Sequence, residues 1–226
     1  MTRAEIVSLN IGKPQPLLYK NKEVESGIHK QPADRPLYLS RVNLDGDAQA
    51  DLVHHGGKDK AVCVYPFEHY AFWEKELQTA LVFGAFGENL TMRGLLETEV
   101  CIGDIFQLGE AVVQITQPRQ PCYKLAARYQ VPDMPVRVQD TGFTGYYFRV
   151  LEEGTVSSTS ELALMTRHPL AVTVDFANKI MHHDKKNVDG IRRLLEVEEL
   201  SDSWRATLTK RLEGQDVNTR ERLQGN

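Results

Sequence analysis

The hydrophobic pattern divides the chain near residue 166. Before that point, short apolar and β-branched runs are separated by turn residues, the signature of strands. Runs at Glu5 to Ile11, Leu37 to Leu39, Ala61 to Tyr65, Gly142 to Leu151 and Leu162 to Met165 each predict one, and Leu17 to Tyr19 continues the first after a Gly-Lys-Pro turn. Gly109 and Glu110 separate Ile105 to Leu108 from Ala111 to Thr116, and a Gly-X pair between two such runs suits a type II′ hairpin turn. Pro66 to Leu77 predicts a helix with proline at its start, packing through Phe67, Tyr70, Ala71 and Leu77. Leu125 to Tyr129 predicts a second, shorter helix.

After His168-Pro169 the period changes. Val174, Ala177 and Met181 fall at helical spacing, as do Val188, Ile191 and Leu195, and then Trp204, Leu208 and Leu212. The expected fold class is mixed α+β, with a predominantly β body over residues 1–166 and a small three-helix segment over 167–226. About 60 residues make a meagre core alone, so the segment should depend on docking against the β body or another subunit. Its lysines and arginines are nearly balanced by acids, which favours packing or partner docking over a helix-turn-helix that reads DNA.

Composition narrows the classes. With 41% hydrophobic and 26% charged residues in 226, the chain is of ordinary globular make-up, and a formal charge of −4 argues against a nucleic-acid polymer as partner. No apolar run approaches the roughly 18 residues of a membrane span, and Met1 to Glu5 lacks the apolar core of a signal peptide. The expectation is a cytoplasmic protein with no membrane contact. Cys63, Cys101 and Cys122 are too widely spaced for a disulfide framework or a zinc pattern, and the first two lie in apolar runs that assign them to the core.

Cys122 is different. It follows Gln117-Pro118-Arg119-Gln120-Pro121, a proline-braced connection between a strand and a short helix, with Arg119 and Lys124 close in sequence. Positive charge and free backbone N–H groups favour thiolate over thiol, and the thiolate is the nucleophile or metal ligand. The plain alternative is a small buried hydrophobe. Three further loops carry chemistry: Lys30 before Gln31-Pro32, His54-His55-Gly56-Gly57-Lys58-Asp59-Lys60 before a strand, and Phe86-Gly87-Glu88-Asn89-Leu90. Each alone also reads as a polar turn. Asn43 to Asp47 is a turn, too short and incomplete for a calcium loop.

Taken in order, His55-Gly56-Gly57-Lys58-Asp59-Lys60-Ala61-Val62, Phe86 to Leu90, Ile102-Gly103-Asp104 and Pro118 to Cys122 resemble the MOSC domain family, named for the molybdenum cofactor sulfurase C-terminus. Their spacing and the helical tail resemble its YiiM group. The resemblance implies a β-barrel-like MOSC domain over 1–166, a three-helix segment after it, and a molybdopterin form of the molybdenum cofactor. It implies Cys122 as catalytic residue and metal ligand, soft thiolate suiting molybdenum already held by sulfur. Lys30 and Arg119 match positions that hold the cofactor's phosphate. His55, Gly56, Gly57, Asp59, Glu88 and Asn89 would serve the pterin, directly or by positioning donors. His54 is less characteristic and stays outside the site.

The activity implied is reduction of N-hydroxylated compounds, including hydroxylaminopurine base analogues, to amine and water. No Gly-x-Gly-x-x-Gly fingerprint for NAD or flavin is present, so electrons would come from a separate reductase. A pyridoxal-dependent sulfurase domain and the extra N-terminal domain of amidoxime-reducing relatives are also missing from the pattern. Two other readings stay open: a cofactor carrier or sulfur-handling binding protein without turnover, and a metal-free thiol nucleophile. A homodimer stays open as well. The tail is expected to dock the electron donor or complete the protein and to contribute no metal ligand.

Overall fold

A computed structural model describes residues 4–51, 56–215 and 217–225. Twelve strands follow one another as β1 (Glu5–Ile11), β2 (Gln15–Tyr19), β3 (Lys22–Ser26), β4 (Gln31–Pro32), β5 (Leu37–Leu39), β6 (Val62–Pro66), β7 (Leu90–Arg93), β8 (Ile105–Leu108), β9 (Ala111–Pro118), β10 (Tyr146–Glu152), β11 (Gly154–Val156) and β12 (Leu162–Thr166). Eight of them form one sheet in the order β12-β8-β9-β10-β6-β7-β1-β4, while β2 with β3 and β5 with β11 make separate two-stranded pairs. All pairings in the large sheet are antiparallel except β6 with β7. Leu17 to Tyr19 thus belongs to its own hairpin with β3 and does not extend β1.

The expected barrel is corrected: the sheet stays open. Its edges, β12 and β4, pair with β8 and β1 and not with each other. Strand β4 has two residues, one of them Pro32, whose missing N–H ends a ladder. Helices do part of the covering that a closed sheet would do for itself. Val174, Ala177, Ile180, Ile191, Leu194, Trp204 and Leu208 share one core with Ile115, Phe106, Phe148 and Val113 of the sheet.

Helix α1 (Tyr70–Leu77) continues a 3-10 turn over Phe67–His69. It buries Tyr70 and Trp73, whereas Ala71, expected on that face, is exposed. Helix α2 (Tyr123–Tyr129) begins one residue after Cys122. Helix α3 (Met134–Thr141) was not foreseen; Pro135 sits in its first turn, where no N–H is required, and Gly142 ends it at φ 74°. These three helices pack with Tyr65 and Phe86 into a second apolar cluster.

The tail has more pieces than three. Helix α4 (Val174–Asn178) runs into a π-helical turn over Lys179–His183, and α5 (Val188–Leu195), α6 (Asp202–Leu212) and a short α7 (Arg220–Gln224) follow. Thr173, Asn187 and Ser201 cap the first three by accepting from the N–H groups of Phe176, Gly190 and Trp204. Val188 and Leu212, expected on packing faces, are exposed. No described helix is long and apolar enough to cross a membrane.

Candidate functional site

Three adjacent strands bring the site together. In β10, Tyr147 lies opposite Gln117 of β9 and Cys63 of β6. Strand β9 is buried along its whole length and ends at Pro118, and the N–H of Arg119 bonds the carbonyl of Gly145 (3.0 Å), which fixes the exit of the loop. The chain then reaches Cys122 in extended geometry (φ −131°, ψ 169°), with its side chain not used as a helix cap. Cys122 is 7% exposed and joins no disulfide.

The Phe86–Leu90 loop leads into the neighbouring β7. Glu88 is fully buried, and its carboxylate accepts from the N–H groups of Gly84 (3.1 Å) and Phe86 (2.9 Å), from Thr91 Oγ1 (2.9 Å) and from the Tyr70 hydroxyl. Those contacts shape the loop and leave Glu88 off the cavity wall. Position 87 calls for glycine on two counts, its φ of 77° and the 3.0 Å that would separate a Cβ from Ile28. Phe86 stacks on Tyr65 at 4.2 Å between centroids. Asn89 Oδ1 accepts from the N–H of Cys63 (3.0 Å), and its amide nitrogen donates to Asp47 (2.9 Å).

Lys30, Cys63, Asn89, Arg119, Cys122 and Tyr147 line one cavity of about 80 Å³. Lys30 is buried and ion-paired with Asp47. Arg119 is buried, donates one amino group to the carbonyl of Phe86 (2.6 Å), and leaves Nη1 without a partner among the described residues. Burial pushes the Cys63 thiol up to about 11, so at neutral pH it stays protonated. Cys122 also opens onto a second, larger cleft between its own loop and the tail helices.

Of the residues expected at the site, Lys30, Asn89, Arg119 and Cys122 share this cavity. His55 lies outside the described residues. Gly56 and Gly57 precede a 3-10 turn over Lys58–Lys60; Gly57 has φ 93° with open space where a Cβ would stand, so the backbone bend demands glycine and a close contact does not. Asp59 turns away: its carboxylate pairs with Arg149 (2.8 Å) and accepts from the N–H of Asp202 (3.1 Å), tying the loop to the start of α6. Asp47 is the residue the sequence did not single out. Besides Lys30 and Asn89 it takes the N–H of Gly12 (2.9 Å), and its only signal was the Asn43 to Asp47 turn.

The MOSC domain family matches residues 51–163, and the YiiM-like 3-alpha helix domain matches 172–215. The chain belongs to the MOSC family, in its YiiM group. Among its relatives, YflK of Bacillus subtilis is 56% identical over 92% of this chain and 95% of its own. A crystal structure of YiiM from Escherichia coli, 36% identical, superposes with a TM-score of 0.81 over the whole of both chains. A Gibberella moniliformis protein named Reductase is 36% identical over 64% of this chain but only 26% of its own length.

MOSC domains in general are associated with molybdenum cofactor binding. The donor set here fits an anionic, hydrogen-bonding group: an orphaned buried guanidinium nitrogen, an ammonium, an amide and a thiol converge on one cavity. Its volume takes one end of such a group and not the whole. No cluster of three or more His, Cys, Asp or Glu stands ready for a metal among the described residues.

Proposed function

We propose that this MOSC protein is a molybdenum cofactor-dependent reductase of N-hydroxylated compounds, with hydroxylaminopurine bases among its substrates. The observation that carries the reading is the position of Cys122, which opens both onto the donor-lined cavity and onto a cleft large enough for a substrate. Membership of the MOSC family and the fungal relative's name, Reductase, support it.

Bound there, the cofactor would supply the two-electron chemistry that converts N–OH and two protons to N–H and water. The chain's own residues hold and orient it. Cys122 is the ligand thiolate, since Cys63 is kept protonated by burial. Arg119 would donate through Nη1, unpartnered among the described residues, and Lys30, held by Asp47, adds positive charge. Asn89, whose amide donates to Asp47 and to the carbonyl of Asn10, positions that pair. Electrons come from a separate reductase.

The test combines metal analysis with turnover. Purified protein should carry stoichiometric molybdenum and, with a chemical electron donor, reduce N-hydroxylaminopurine, while Cys122→Ala should fall to background. Unchanged turnover by that variant would sink the ligand assignment. Full molybdenum with no N–O cleavage across a range of substrates would make the protein a cofactor carrier instead.

A further inference from the structure

The cleft on the tail side of Cys122 has a volume of about 410 Å³, within the range of small-molecule sites. Its charge is unbalanced. Lys124 lies on one wall, and on the other stand Lys185 after the π turn, Arg211 at the end of α6 and Arg222 in α7, against the carboxylates of Asp51 and Glu221. None of these four cations forms an ion pair among the described residues. Carbonyls aim two of them without neutralising either: Arg211 donates to Met181 (2.9 Å), and Arg222 donates to Pro121 and to the side chain of Gln139 (3.0 Å).

His182 stands among them. It is 7% exposed, its ring lies edge-on to Trp204, and its Nε2 has no hydrogen-bond partner among the described residues. Burial first, and then the charges of Arg222, His183, Arg211 and Lys185, push its pKa down to about 3. A neutral imidazole ringed by unpaired cations marks a place of positive potential that an anion would relieve.

We propose that this cleft binds a phosphate monoester, the 5′-phosphate of a purine nucleotide whose base lies at Cys122. The identity of the base rests on the reductase reading. The phosphate is assigned to the substrate for a specific reason. Cofactor binding is associated with MOSC domains at large, and the MOSC match ends at residue 163. Lys185 and Arg211 belong to the helical module of the YiiM group, and Arg222 follows it. A group common to the wider family is held by residues common to it, which leaves the tail's cations to whatever this branch handles in particular. They face Cys122 across a space open to a second molecule, and a free base would leave them unmatched.

Binding of AMP and of adenosine to the full chain, with and without the cofactor, tests the assignment by calorimetry at low salt. AMP should bind at least about tenfold more tightly, with a preference that shrinks as salt is added. Lys185→Gln with Arg211→Gln should bring AMP to the affinity of adenosine while Arg211→Lys keeps most of the preference, and the melting temperature of each variant checks its fold. The His182 imidazole resonance should titrate at higher pH with AMP bound. Equal affinities in the wild type would overturn the proposal, and so would AMP binding that vanishes when the cofactor is loaded, because the ester would then be the cofactor's own. Since binding is read without turnover, phosphate preference without N–O cleavage keeps the cleft and removes the reductase. Cleavage of free bases with no phosphate preference does the reverse.

Discussion

Lys30 and Asp47 are each buried, but they depend on one another unequally. The Asp47 carboxylate takes the ammonium, the Gly12 N–H and the Asn89 amide, so it remains partly satisfied if the lysine is lost. The ammonium has no such reserve. Asp47→Ala should therefore destabilise the protein by roughly 3–5 kcal/mol, the cost of stranding a buried charge, and Lys30→Met by less. Adding Lys30→Met to Asp47→Ala should recover part of the loss. Denaturant midpoints measure all three, and equal penalties for the two single variants would contradict the asymmetry. The importance of Asp47 was hidden in the sequence for a physical reason. Its partners lie 17 and 42 residues away, so nothing within its own turn distinguishes it from any acid after a glycine.

At the scale of elements, the tail helices and the sheet share a single apolar core, and they should fail together. Trp204 is fully buried between them, and its indole nitrogen has no partner among the described residues. Trp204→Ala should cost about 3–5 kcal/mol, whereas Trp204→Phe, which also removes the orphaned donor, should cost clearly less. Both should shift one common unfolding transition. Helices that melt ahead of the sheet in hydrogen exchange would show two cores instead of one. Elements with local signals were legible: the β8–β9 hairpin follows from Gly109-Glu110, and the faces of α4, α5 and α6 follow from apolar spacing except at Val188 and Leu212. Helix α3 was not, because Pro132 and Pro135 read as loop until the second is placed in a first turn. The open edges of the sheet were beyond reach too, since closure depends on strands more than a hundred residues apart.

For the whole molecule, His182 sets a pH dependence with a defined sign. Its folded pKa of about 3 lies below the unfolded value of 6.5, so the unfolded chain binds the extra proton between those limits. Stability from this group is complete above about pH 6.5 and is lost as pH falls towards 3. Between pH 7 and 5 the loss should be about 2 kcal/mol, and it should be absent in His182→Phe, which keeps a ring against Trp204. Chemical denaturation at the two pH values reads the difference. Arg222, Arg211, Lys185 and His183 all oppose the proton, while Glu221 and Asp51 line the same cleft. A bound phosphate should narrow the pH window. Four of the candidate site residues meet in one cavity because neighbouring strands of the sheet carry their loops to the same place, whereas Asp59 is drawn away by Arg149 and the N–H of Asp202.

Arg222 reaches back to the carbonyl of Pro121, next to Cys122, from 101 residues later in the chain. At roughly 5–20 residues per second, a ribosome makes the thiol several seconds before it makes the arginine that roofs it. During that interval Cys122 has no tail-side wall, and on the proposed reading oxidants or stray soft metals could reach it ahead of the cofactor. On that reading, loading would be a race against time as well as a matter of affinity. Cells that slow translation without slowing oxidation should accumulate chains whose cysteine is already spent.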